Sequence, residues 1–574
     1  MRRLDPAGAV NAIAIAGIAA YLIWSGAAGG TYTLRVLSVA GIYGLAAIGY
    51  QFIFGHAGAL ALSQGTFMGL GAYVSGILAL RAGLPFDLAL PFSVGAPVML
   101  ALLVAAPVLR LQTHYFALAT LMISTVALLV ATEWRSMTGG ANGLGGVPGL
   151  QLLGVTVRPG WPLLATVWSF VALGAVIAWW IARGRLGHAW ACMRAAPNAA
   201  AAIGLDAGRL RLLAFLLSAA YAGLAGSLYV HVIRVVSPDA LAFPVVIACL
   251  TIVVVGSRLR PAGALLGALL VVQLPEWFRD LRDYYLLAYG VILLLVIVLA
   301  PAGLLGTLER GARLLLPRPR EPAPAPVPFS GRSGGTGTVL TIAGLSKRFG
   351  GVAALSDVSL QVRAGEALGL IGPNGSGKTT LINLVSGLYR PDAGRVLLGG
   401  ADVTGWRAHH LARDGIGRTF QTVLLVDELT ALDNVALART GPRERALAEA
   451  AFLLERMGAI GAASALAGEL PYGVRRRVEI ARALATDPVL LLLDEPAAGL
   501  NATEQADLAR RLRELLPAGI ALLVIEHNMA FLEPLVDQMV CLDAGRVIAA
   551  GAPAEVKADA LVIEAYLGAA PAPA

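Results

Sequence analysis

Between Pro6 and Leu308 the chain runs again and again through charge-free apolar segments, each long enough to cross a hydrocarbon layer of ~30 Å. A half built this way folds as a bundle of membrane helices. Spans are expected at about residues 8–27, 35–54, 59–80, 88–109, 115–132, 161–182, 212–232, 241–257, 261–276 and 285–304, about ten in all. The second member of the pair after Ala240 is short enough to be re-entrant instead. Composition agrees: 57% of residues are hydrophobic and 14% charged, far from an ordinary soluble protein. The net charge of +8 carries no compact basic patch with interleaved aromatics, so it reads as arginine at span ends, with a lipid bilayer and no nucleic acid as partner. Met1-Arg2-Arg3 before an apolar run mimics a signal peptide, but further spans follow at once, which makes this the first membrane helix.

If Arg2 and Arg3 face the cytoplasm, an even number of crossings returns the chain there at Glu309. The loop with Arg183, Arg185, Arg194, Arg209 and Arg211 then falls inside, and Glu133 to Gly160 falls outside. Gly69, Gly71 and Gly76, Gly223 and Gly226, and Gly263 to Gly267 are spaced for close helix approach. Gln51, His56, Ser63, Gln64 and Tyr73 are either pathway groups or helix-packing hydrogen bonders. Cys192, Cys249 and Cys541 fit no metal spacing.

Pro317 to Pro328 is proline-rich and leads into a Gly/Ser/Thr tract ending at Thr338, a tether with no core of its own. The division expected is a transmembrane domain over 1–310, a linker over 311–338 and, from the Gly, four free positions, then Gly-Lys-Thr at Gly372 to Thr379, an α/β P-loop NTPase domain over 339–574.

In that last part, Gly372-Pro373-Asn374-Gly375-Ser376-Gly377-Lys378-Thr379-Thr380 follows an apolar strand-like run and precedes a helical pattern. Glycines let successive N–H groups turn inward round a phosphate chain, and the helix N-terminus adds positive charge at the same spot. Lys378 bridges to the β- and γ-phosphates of ATP, and Thr379 holds Mg²⁺. Lysine occurs only at Lys347, Lys378 and Lys557, so a chain that otherwise uses arginine keeps a compact charge where phosphate is expected. Val489 to Leu493 is an unbroken apolar run ending in Asp494-Glu495, a parallel strand buried on both faces with two carboxylates at its ligand-binding end. Asp494 suits Mg²⁺ and Glu495 the attacking water. Gln421 presents an amide fitted to sense metal and water. Ile520 to Ile525 forms another strand and delivers His527 toward the same edge. Val339 to Ile342 reads as a strand and Phe349-Gly350-Gly351 as a turn, with Phe349 either stacking on adenine or packing the turn. Met193 to Leu205 is expected as a helix along the membrane surface, where a cytoplasmic ATPase would find a rigid contact.

The residues from about Val339 to Leu567 resemble the nucleotide-binding subunit of ABC transporters, specifically the branched-chain amino acid (LIV-type) ATPases. The phosphate loop, Arg418-Thr419-Phe420-Gln421, Tyr472-Gly473 with Arg476 to Arg482, Asp494 to Asn501, Ile525-Glu526-His527 and Glu564 to Gly568 carry the likeness. About Ala40 to Gly306 resembles the LIV-type permease, through Gly49-Tyr50 to Gly71-Ala72-Tyr73, Thr138-Gly139-Gly140, Leu213 to Gly226, Ser237-Pro238-Asp239 and Pro301 to Gly306.

The resemblance implies a permease and an ATPase fused end to end in a bacterial-type inner membrane, with the ATPase cytoplasmic. It makes Phe349 the adenine contact, Gln421 the Q-loop residue and a metal neighbour, and Asp494 the Walker B aspartate. Glu495 becomes the catalytic base, Asn501 the D-loop residue and His527 the switch histidine. Pro471, Tyr472 and Gly473 become the signature loop over the partner's nucleotide. Partners implied are a second permease, a second ABC ATPase and an extracytoplasmic solute-binding protein. The expected function is ATP-driven import of branched-chain amino acids; urea or short-chain amides are the alternative substrates, and an exporter half-transporter is the more distant rival. One departure stands out: the signature loop usually reads Leu-Ser-Gly-Gly-Gln, and here it is Leu470-Pro471-Tyr472-Gly473-Val474. Proline removes a backbone N–H, so the composite site completed by Pro471 is expected to be the weaker one.

Overall fold

A computed structural model describes residues 6–109, 113–278, 285–315, 323–328 and 337–567. Arg2, Arg3 and most of the proline–glycine tether lie outside them. The chain divides into two compact units, one from 1–190 with 208–319 and the other from 191–207 with 320–574.

The first unit is helical. Among the described residues, seven helices are long and apolar enough to cross a membrane, or eight if one bent pair counts as a single span. That is fewer than the ten or so expected, for two reasons. Gln64–Arg81 has 18 residues, but Gln64, Thr66, Ser75 and its glycines keep it outside that set. Phe243–Gly256 and Pro261–Trp277 meet at 119° across a short break, a broken or re-entrant span. Pro261 at the start of the second helix fits that break, since proline has no N–H to give an earlier turn. The Gln51 amide donates to the carbonyls of Ser257 (2.6 Å) and Arg260 (2.9 Å), supplying partners for the turn.

Thr31–His56 and Ala207–Ile233 are the most buried of the long helices, and Gly8–Ala28 lies at the rim. Small residues decide how closely the centre packs. A Cβ on Gly226 would stand 1.8 Å from the Met68 carbonyl oxygen, and one on Gly267 2.3 Å from that of Ile252. Backbone therefore meets backbone at both places. Gln64 donates to Ala46 O (2.8 Å) and accepts from Ser218 (2.7 Å), a packing role. The buried hydroxyls of Ser63 and Tyr73 have no hydrogen-bond partner among the described residues.

The second unit is built on two sheets. Its strands are β1 (Thr338–Phe349), β2 (Val352–Arg363), β3 (Ala367–Ile371), β4 (Ala393–Leu398), β5 (Ala401–Asp402), β6 (Ile416–Arg418), β7 (Leu490–Asp494), β8 (Ala521–Ile525), β9 (Gln538–Asp543) and β10 (Arg546–Gly551). A six-stranded sheet has the order β6-β7-β8-β3-β9-β10, parallel except for the final pair. A four-stranded antiparallel sheet runs β2-β1-β4-β5. Burial of β7 and β8 on both faces follows directly from their sequences. Leu491, Leu493, Leu522 and Val524 fill one core, and Leu490, Leu492, Leu523 and Ile525 fill the other. Phe349 is the last residue of β1, paired with Val352, so the turn begins one residue later than expected.

Met193 to Leu205 is two helices, not one. Arg185–Ala195 ends before an extended Ala196, and Pro197–Ala202 starts a new helix with proline in its first turn. Residues 191–207 cluster with the second unit.

Candidate functional site

The phosphate-type loop leaves the end of β3, between β8 and β9 at the middle of the sheet. Gly372, Gly375 and Gly377 have φ of 143°, 84° and 104°, which side chains rarely tolerate. A Cβ on Gly377 would also lie 2.6 Å from Ala354 O. Lys378, Thr379 and Thr380 open the helix Lys378–Val385. The Lys378 ammonium donates to the carbonyls of Gly372 (2.7 Å) and Pro373 (2.8 Å), the loop's own oxygens. Burial pushes its pKa down, opposed by Glu495, Cys541 and Asp494.

Asp494 closes β7 and is 3% exposed. Burial pushes its carboxyl up, and Arg418, 4.0 Å away, is the first of the groups that oppose this. The buried Arg418 is itself pushed down to about 10 by desolvation. It donates to Asn383 Oδ1 (2.7 Å) and to Ser386 Oγ, so only part of it serves Asp494. A buried carboxylate so weakly matched, on the strand beside the one that leads to His527 and two strands from the one that leads to the loop, is a donor suited to a hard cation.

Glu495 has φ of +47°, unusual for a residue with a Cβ. Gln421 Nε2 donates to its Oε2 at 3.1 Å, and His527 Nδ1 stands 4.0 Å from its Oε1. Gln421, Glu495 and His527, expected from the sequence at one sheet edge, are thus gathered there. His527 is largely exposed, open to a ligand. Phe349 is exposed and packs edge-on against Tyr389, with centroids 5.4 Å apart.

Asn501 and the signature segment sit elsewhere. Asn501 caps the helix Ala502–Arg513, accepting from Glu504 N (2.9 Å) while Glu504 Oε2 accepts from Asn501 N (3.1 Å). Pro471 is the N-cap of Tyr472–Leu484, a position where the helix makes no use of the missing N–H. Tyr472 and Gly473 lie against Gly499 and Glu504 respectively.

Arg476 has a role at this site that no single motif spells out. Its guanidinium is fully buried and donates to the carbonyls of Phe420 (2.6 Å), Gln421 (2.8 Å) and Glu495 (3.1 Å), and to Glu479 Oε2 (2.9 Å). One side chain therefore fixes the Gln421 segment and the strained Glu495 backbone together. Three consecutive arginines, 475–477, hid which one turned inward.

A second constellation lies on the helix Ala408–Asp414. Arg413 donates twice to Gly204 O, at 3.0 and 2.8 Å, and His409 stands 3.6 Å from Asp206. Burial pushes the His409 imidazole below its usual range, so near neutral pH it meets Asp206 as a neutral ring rather than a cation. Arg194 pairs with Glu428 at 2.7 Å on the exposed rim.

Comparison with known proteins follows this division. Residues 32–300 match the family described as branched-chain amino acid transport system permease component. Residues 355–498 match the ABC transporter family, and 546–572 the family described as branched-chain amino acid ATP-binding cassette transporter. The chain is 38% identical over 250 residues to the high-affinity branched-chain amino acid transport ATP-binding protein BraF of Pseudomonas aeruginosa, covering 40% of this chain and 98% of BraF. It is 38% identical over 249 residues to LivG of Escherichia coli, with the same coverages. A crystallised ATP-binding cassette of an ABC transporter in its ADP conformation shares 33% identity, covering 40% of this chain and 99% of that one, with a TM-score of 0.38.

Proposed function

The chain belongs to the branched-chain amino acid family of ABC transporters, and on that premise we propose that it is a permease–ATPase fusion subunit importing branched-chain amino acids at the expense of ATP. The observation that carries the reading is the pairing, on one polypeptide, of the permease match with a cassette match whose helix Ala408–Asp414 grips residues 204–206. Those residues lie between the short helix Pro197–Ala202 and the apolar helix Ala207–Ile233, and on this reading they carry nucleotide-driven motion of the cassette to the permease.

Lys378 and the loop N–H groups bind the phosphates, and Phe349 takes the adenine. Mg²⁺ would be held by Thr379, Gln421 and Asp494, where it would supply positive charge to offset that of the phosphates. Glu495, oriented by Gln421 and by the Arg476 bond to its carbonyl, accepts the proton of the attacking water. His527 reaches from the same edge toward the γ-phosphate. Asn501, Pro471, Tyr472 and Gly473 complete the partner's site.

A transporter of this form needs a second permease, a second ATPase and an extracytoplasmic solute-binding protein, and sits in the inner membrane with the ATPase inside. The domain limits at 310 and 338 follow from the proline–glycine tether. Coupling requires that ATP favour the closed cassette pair over the open one, since equal affinity shifts nothing. The test is ATPase activity of the assembled complex in lipid with solute-binding protein added. Stimulation by leucine-loaded but not empty binding protein supports the reading. Stimulation by urea- or amide-loaded protein alone moves the substrate to that class, and no stimulation by any loaded protein refutes import.

A further inference from the structure

We propose that Tyr566 is a positioning residue of the nucleotide site, holding the first residue of the phosphate loop so that the carboxyl-terminal helix governs how tightly the loop takes a nucleoside triphosphate. This rests on the nucleotide-binding reading of Gly372 to Thr380.

The pairing of β3 with β9 ends at Ile371 opposite Cys541. Gly372 is the first residue beyond that ladder, and its N–H needs another acceptor. The Tyr566 hydroxyl supplies it at 2.9 Å, from 194 positions along the chain. The carbonyl of the same glycine accepts from Lys378 Nζ at 2.7 Å. One residue therefore joins the phenol to the ammonium.

Gly372 offers no other handle. Its φ is 143°, and a Cβ would stand 2.1 Å from Leu542 O, so the loop can be fastened here only through its backbone. Farther along, Gly545 N donates to Ser376 O at 3.0 Å. When a phosphate draws Lys378 off the Gly372 carbonyl, the bond to Tyr566 keeps the loop's first peptide from turning.

Filling the core does not explain the tyrosine. Its helix, Ala560–Leu567, is anchored by the buried Val562, whereas Tyr566 is 42% exposed. Tyr566 lies inside the stretch 546–572 that matches the branched-chain cassette family, and its contact gives that segment a task at the phosphate loop.

The experiment measures binding of a fluorescent ATP analogue with Mg²⁺ to the full chain in lipid nanodiscs. A neutral hydrogen bond of ordinary net strength corresponds to an affinity change of about two- to tenfold. Tyr566→Phe is expected to weaken binding by that factor. In the assembled transporter KM for ATP rises equally, with kcat kept within about twofold, and deuterium uptake in the peptide spanning Ile371 and Gly372 quickens. Tyr566→Trp presents a donor where Gly372 needs an acceptor, so it loses at least as much. Ile563→Ala, on an exposed face of the same helix, reports any general effect of that helix and is expected to bind as wild type. Wild-type affinity in both Tyr566 variants overturns the proposal, as does equal loss in Ile563→Ala. Lys378→Ala separates the two levels: if it alone abolishes binding, only the role of Tyr566 falls, and if it binds normally the nucleotide reading falls too.

Discussion

Replacing Arg476 by methionine strips donors from the carbonyls of Phe420, Gln421 and Glu495 and leaves the Glu479 carboxylate buried without its nearest cation. Burial already pushes the Glu479 pKa up, opposed first by Arg476, so losing that arginine strands the charge or forces a proton onto it. Breaking one side of such a buried pair costs about 3–5 kcal/mol. For a unit of this size that lowers the cassette's melting midpoint by roughly 6–20 °C. The double variant Arg476→Met/Glu479→Leu removes the stranded charge and leaves unmet carbonyls and the Leu424 N–H, which donates to Glu479 Oε1 in the wild type; each costs about 1–3 kcal/mol when fully buried and less where water reaches it. It should melt measurably above the single variant. Turnover should stay low in both, by about tenfold or more, because the +47° backbone of Glu495 has lost its tie in each. The assay is calorimetry of the full chain in nanodiscs, following the apparent midpoint of the cassette transition, beside steady-state ATPase activity of the assembled complex. A single variant melting within about 2 °C of wild type would refute the reasoning, as would a double variant no more stable than the single.

Other expectations follow from the same geometry. Asp494→Asn should abolish hydrolysis yet raise the melting midpoint of the nucleotide-free cassette at neutral pH. The folded pKa of Asp494 is raised, so its ionised form opposes folding, and that penalty grows as pH rises from the unfolded value near 3.8 through the folded one; calorimetry from below the unfolded value up to neutral pH checks it. Arg413→Ala removes two charge-assisted bonds to Gly204 O, and should leave basal ATPase activity within about twofold while cutting uptake by about tenfold or more, read by parallel transport and phosphate-release assays. Gly226→Ala drives a methyl into the Met68 carbonyl, costing about 1–3 kcal/mol or more and lowering the yield of monodisperse protein in size-exclusion chromatography.

What the sequence made legible was local. The phosphate loop and the Asp494 strand announce themselves within nine consecutive residues, because phosphate binding and two-sided burial each demand a fixed run of residue types. The likeness to a permease joined to a cassette followed from such runs, and family comparison bears it out. The expected ten or so apolar runs exceed the seven or eight helices among the described residues that qualify by length and composition, because apolar length is a poor guide to path. A 119° bend turns two apolar runs into one broken element, and a glycine-rich helix can be central without being strongly apolar. The Met193–Leu205 helix broke at Ala196 because a proline follows. The parts that Arg476 and Tyr566 play at the site were unreadable for another reason: there they bind backbone atoms 55 and 194 positions away, and backbone carries no sequence signal.

The central claim is that ATP hydrolysis in this chain's own cassette drives solute through its own membrane half. Uptake of radiolabelled leucine into proteoliposomes holding the assembled transporter, with binding protein and MgATP inside and outside as required, tests it most directly. Accumulation against a gradient by wild type, falling to the no-ATP level in Lys378→Ala with assembly intact, is the predicted result. Undiminished accumulation by Lys378→Ala would contradict the account.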